Sequence, residues 1–188
     1  MHAPILLLLA GAALVACGPR LSEPRSVEPG TARIAFTGPG LAGAAPTVEE
    51  VRERSGFSIQ RLRVAGPQSF AIIDDVRIDT TDKAFGRTVD RAYVAGKLKP
   101  GTEIEHGAWT EAPIGEEAGT LHLFRIPAGE LSCVGMTRLA ETVANPDFHT
   151  DARHRRRIEG IYCTRRPTPL SLDEARAIAA GLQVLDSR

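Results

Sequence analysis

Apolar residues recur at every second position in a series of short runs that Gly and Pro separate. Phe70, Ile72, Val76 and Ile78 share one parity, interrupted by Asp74, as expected of a strand with a buried face. Similar runs occupy Ser58 to Val64, Thr88 to Val94, Leu121 to Ile126, Leu131 to Thr137 and Ile158 to Cys163, with a shorter one at Arg33 to Thr37. Gly66-Pro67, Pro100-Gly101 and Pro127-Ala128-Gly129 supply turns between them. Strands joined by turns rather than by helices predict an antiparallel sheet.

Two stretches carry helix signals instead. Thr47 with Glu50 makes a capping box and Gly56 a left-handed stop, which predicts a short helix over 48–55. Ser171 with Glu174 makes a second capping box just after Pro169. Leu172, Ala175, Ile178, Ala179, Leu182 and Leu185 then fall on one side at helical spacing, so an amphipathic helix is predicted from Leu172 to about Leu185, packed on one face of the sheet. Helices at the edges of a strand-rich centre predict the α+β class.

The N-terminus departs from both patterns. Ala3 to Ala16 carries no charge and centres on Ile5-Leu6-Leu7-Leu8-Leu9, the apolar core of an export signal. A helix of that length rises only ~21 Å, short of the ~30 Å hydrocarbon core of a bilayer. The run Leu14-Val15-Ala16-Cys17 that follows resembles the lipobox of bacterial lipoproteins. The resemblance implies that the Cys17 thiol receives a diacylglyceryl group and that a peptidase cuts between Ala16 and Cys17. The n-region has only the terminal amine and His2, where such signals usually carry Lys or Arg; an unlipidated signal peptide is the alternative. Gly18 follows the cysteine, where an Asp favours inner-membrane retention in some lipoproteins, so the resemblance favours the outer membrane with the domain facing the periplasm. Two or more acyl chains, at ~0.8 kcal/mol per buried methylene, make such an anchor lasting.

Residues 1–16 are thus expected to be a signal peptide, 17–30 a lipidated cysteine with a Pro-rich tether, and 31–188 a single domain large enough for a real core. If Cys17 is lipidated, Cys133 and Cys163 remain as an even pair in an oxidising compartment, and a disulfide is their expected fate. A reactive thiol is the alternative, disfavoured by the apolar run from Leu131 to Met136 and by the absence of Cys-x-x-Cys spacing.

Charge narrows the partners. The 23 basic and 23 acidic residues give a formal net charge of zero, which gives no support to nucleic-acid or other general polyanion binding. Arg153, Arg155, Arg156 and Arg157 form the one dense basic cluster, a candidate site for lipid head groups or an anionic envelope polymer. Its alternative is a charged hairpin loop stapled by the disulfide. Asp147, His149, Asp151 and His154 offer metal-ligand types, but their spacing matches no metal motif and the arginines beside them oppose a cation. Asp74-Asp75 and the pair Asp79 and Asp82 are carboxylates able in principle to serve as acid and base, or to bind calcium, though neither set has the ligand count or glycine of a calcium loop. Trp109 near His106 is either a stacking platform for carbohydrate or a core anchor.

No nucleophile elbow, phosphate loop, dinucleotide fingerprint or His-Glu-x-x-His occurs, so no cofactor or metal is expected. The sequence favours a noncatalytic, membrane-tethered module that binds or assembles with an envelope protein or polymer. An envelope hydrolase using Asp74 and Asp75 is the alternative. Cys17→Ser is expected to move the protein from the membrane to the soluble fraction on cell fractionation; undiminished membrane association in that variant would contradict lipid anchoring.

Overall fold

In the computed structural model, residues 22–53, 56–80, 85, 96–114, 117–143 and 153–185 are described. Ten strands and one helix follow in chain order: β1 (Arg25–Ser26), β2 (Ile34–Phe36), β3 (Thr47–Glu53), β4 (Phe57–Ala65), β5 (Ser69–Ile78), β6 (Glu105–Ile114), β7 (Glu117–Ile126), β8 (Leu131–Val143), β9 (Arg153–Arg165), α1 (Leu172–Ala179) and β10 (Leu182–Val184). Eight strands make one antiparallel sheet in the order β1-β3-β4-β5-β9-β8-β7-β6, while β2 and β10 make a second, two-stranded one. Two meanders, β3 to β5 and β6 to β9, therefore meet where β5 pairs with β9 at the middle of the sheet. Among the described residues no helix is long and apolar enough to cross a membrane.

This is a β-rich fold, and the expectation of an α+β domain with an amphipathic helix packed over one face is overturned. At 1.5 Å per residue, the eight residues of α1 span about 12 Å, against roughly 34 Å for the width of eight strands. Its capping box is present, with Ser171 Oγ accepting from the Glu174 amide and the Ser171 amide donating to Glu174. The same carboxylate accepts from Arg166 at 2.6 Å, and that bond, with those from Ser171, holds its pKa down to about 2. The chain leaves the helix at Gly181 because it must turn to pair with β2. The Thr37 amide bonds to the Gly181 carbonyl at 3.0 Å, and a Cβ at 181 would lie 1.9 Å from the Thr37 carbonyl oxygen.

The helix predicted over 48–55 is replaced by β3, with residues 54 and 55 outside the described set. An eight-residue helix is marginal on its own, whereas β3 finds a full ladder on β4 from Thr47–Arg63 to Glu53–Phe57. Gly56 does adopt a left-handed conformation, at φ 86°, but as the last residue of the β3–β4 hairpin connection rather than as a helix stop. Part of the stretch expected as a tether, residues 17–30, pairs with the sheet. Ser26 pairs with Glu49, and the Val27 amide bonds to the Val48 carbonyl, so the chain is docked on the sheet edge well before residue 30. The strand expected at 88–94 lies outside the described residues.

Alternation along the strands gives the sheet two different faces. On one, Leu62, Ile73, Val134, Met136, Ile158 and Tyr162 form the main core with Ile34, Phe36 and Leu182 of the small sheet and Ala175 and Ile178 of α1. Each large aliphatic side chain buried there contributes about 1.5–3 kcal/mol. On the other face Phe124, Ile126, Ile161, Cys133 and Cys163 form a second cluster, flanked by Leu98 and Ile104 of the connection between β5 and β6. Cys133 and Cys163 sit opposite each other on β8 and β9 with their sulfur atoms 2.06 Å apart. The bridge closes the end of the β8–β9 hairpin that lies away from its connection. Peptides from nonreduced protein should join Cys133 to Cys163. Replacing both with Ala should lower stability by about 3–4 kcal/mol, the chain-entropy value for such a loop, measured by urea denaturation; two free thiols in exported protein would contradict the bridge.

Candidate functional site

The centre of the sheet holds two buried charge clusters, one on each face, and adjacent residues of β5 nucleate them. Asp75 projects into the main core and is fully buried. Its carboxylate accepts from Arg156 Nε at 2.8 Å and Nη2 at 3.1 Å, and lies 2.9 Å from Arg33 Nε. Arg33 also donates from Nη1 to Ser58 Oγ and from Nη2 to the Asp75 carbonyl, and its amide donates to Gln60 Oε1 at 2.8 Å. Burial pulls the Arg33 pKa below its usual value, while the Asp75 charge pushes it back up. Because Arg33 immediately precedes β2, this cluster fastens the small sheet to the large one.

Asp74 projects from the opposite face. Arg61 grips it with two parallel bonds, Nε to Oδ1 and Nη2 to Oδ2, each 2.7 Å. Lys97, from the β5–β6 connection, bonds to Asp74 and lies 3.4 Å from Glu159 Oε1. Arg157 Nε is 3.1 Å from Glu159 Oε2, and the Arg157 guanidinium stacks over Phe85 at 4.5 Å. Burial would raise the Asp74 pKa, but the Arg61 bonds, with the charge and bond of Lys97, outweigh it and hold the carboxyl below its usual range.

Asp74 and Asp75 therefore cannot converge on one substrate atom. They leave the strand on opposite sides, and each is held by at least two cations. Asp79 is described at the end of β5, where its amide donates to the Gly56 carbonyl, but Asp82 lies outside the described residues. The arginine cluster also divides. Arg156 is buried against Asp75, Arg157 faces the other side beside Glu159, and Arg155, half-buried, shares the parity of Arg157 along β9. Arg153 belongs to β9 as well. Asp147, His149 and Asp151 lie outside the described residues, while the His154 amide and carbonyl bridge to Phe85. Among the described residues no group of three or more His, Cys, Asp or Glu side chains is placed to hold a metal ion. Cys17 too lies outside the described residues.

His106 and Trp109 sit on β6, a strand absent from the sequence reading, on either side of a bulge. His122 is buried beside both. It stacks on His106 at 5.0 Å with 11° between ring planes, and its ring centroid lies 5.1 Å from that of Trp109. His106 Nδ1 and His122 Nε2 are 3.1 Å apart. Trp109 is half-buried in this group. Beside it opens a cleft of about 300 Å³, lined by His106, Leu123, Phe124, Ser132, Pro169 and Leu170 among others, at the small end of the range for ligand pockets. Ser132 Oγ accepts from the Leu170 amide at 2.8 Å and so fixes one wall.

Sequence reasoning missed Arg33, Arg61 and Lys97. Parity was the available signal. Glu159 shares the parity of Ile161 and Cys163, as Asp74 shares that of Phe70 and Ile72, so each is a charge at an inward-facing position that demands a buried partner. Comparison with family models, with curated proteins and with solved structures finds no match.

Asp75→Asn leaves two buried guanidinium groups without their anion, and should destabilise the fold by about 3–5 kcal/mol, read as the shift in urea midpoint. A loss under 1 kcal/mol would show that the cluster does not fasten the layers.

Proposed function

We propose that the chain is a lipid-anchored envelope protein whose periplasm-facing domain is a noncatalytic binding or assembly module, with the outer membrane favoured over the inner. The lipobox resemblance at Leu14-Val15-Ala16-Cys17 supports the anchor. The observation that carries the noncatalytic reading is the division of Asp74 and Asp75 between opposite faces, each neutralised by cations. An acid–base pair for hydrolysis needs both carboxyls within reach of one bond.

Partner contact fits the β6 edge best. β6 ends the strand order, its first four residues are exposed, and the cleft lies directly beside it. An extended segment of an envelope protein can add to such an edge through main-chain bonds while a side chain enters the cleft. The bulge after His106 and the Pro113 ring limit pairing to part of the strand, which guards against indiscriminate self-association.

A photo-crosslinking residue at exposed Glu111 of β6 should give a discrete adduct with one envelope protein in intact cells. The same residue at exposed Arg176 of α1 should not. Identical patterns from both positions, or no adduct from Glu111, would refute the edge as the binding surface.

A further inference from the structure

Lys97, Asp74 and Glu159 make an arrangement that an ordinary surface ion pair does not need. All three side chains are almost fully buried, at 4%, 2% and 3% exposure. The Lys97 Nζ touches the Asp74 carboxylate, and a second carboxylate oxygen, from Glu159, stands 3.4 Å from the same nitrogen. The three come from the β5–β6 connection, from β5 and from β9. The outer members, Arg61 and Arg157, each grip one of the two carboxylates.

We propose that Lys97 and Asp74 are joined by an intramolecular amide bond, with Glu159 as the catalytic residue for its formation. Glu159 takes a proton from the Lys97 ammonium and leaves a neutral amine against the Asp74 carboxyl carbon. The nitrogen lone pair attacks that carbon. Arg61, already donating to both Asp74 oxygens, neutralises the charge that builds on them. Glu159 returns its proton, and with the second proton shed by the nitrogen one Asp74 oxygen leaves as water. The balance is one ammonium and one carboxylate giving one amide and one water, with no oxidant, reductant or further reactant.

Burial favours the product. An ammonium and a carboxylate kept out of water each carry a desolvation penalty, and the amide removes both charges. The excluded site also protects the product from hydrolysis. Arg61, which loses its anion, retains 39% side-chain exposure and can be hydrated, while Arg157 keeps its bond to Glu159. The linkage spans 23 residues of sequence and ties the β5–β6 connection to the sheet face that also carries the disulfide.

The full-length protein isolated from cells should be digested with trypsin and its peptides weighed. The peptide Val64–Arg77, which contains Asp74, should appear joined to one that begins at Ala92 and is uncut at Lys97, lighter by one water than the two separately. Recovery of Val64–Arg77 only as a linear peptide, with cleavage after Lys97, overturns the proposal. In Glu159→Gln the linked species should fall to a trace in freshly made protein; linkage as complete as in the parent overturns the role of Glu159. The parent's peptides decide the bond itself even if that variant fails to fold.

Discussion

The fold turns on a single buried carboxylate. Asp75, at the midpoint of the sheet, is the anion that two arginines distant in sequence share, and one of them is the residue that leads into the small sheet. The main core is apolar and so is non-directional; buried area alone does not fix the position of β2 and β10 on the large sheet. The ion pairs would not survive a shift of the two strands by a residue. A carboxylate held by forked donors fixes both distance and orientation, so the hydrophobic layer supplies the bulk of the stability and Asp75 selects the arrangement.

Asp74 extends the same logic to the other face. Slipping β5 by one residue against β4 or β9 would turn each aspartate to the opposite face, and since only one of them could land where the other had been, the cations of one cluster would lose their anion. Two successive acids, each answered by cations on its own side, therefore lock the register of the central strand in both directions. The disulfide does comparable work one strand over, where β8 and β9 carry the sheet toward its open edge.

The strands of the sheet were legible where they alternate, as along Phe70 to Ile78 and Ile158 to Cys163, and the turns between them were legible as Gly and Pro. Thr47 to Glu53 misled because Thr-x-x-Glu and a following glycine serve a hairpin as well as a helix, and only the presence of β4 decides between them. β6 left no signal because an edge strand with four exposed residues at its start has no inward parity to display. The ion pairs were invisible for a different reason. Arg33, Asp75 and Arg156 are separated by 42 and 81 residues, and nothing local distinguishes a buried arginine from a solvated one. Adjacency even misdirected, since neighbours along Arg155-Arg156-Arg157 are the residues that a strand sends to opposite faces.

The strand order also has a geometric consequence for a chain tethered at Cys17. From that residue to Ser22, where the described chain begins beside β3, five extended steps reach only about 16 Å. The β1 edge would then ride close to the lipid, and the sheet would act as a rigid strut. Seven interstrand spacings carry β6 about 34 Å from that edge. The eight strands would thus set the greatest height above the bilayer at which the open edge can meet whatever approaches it.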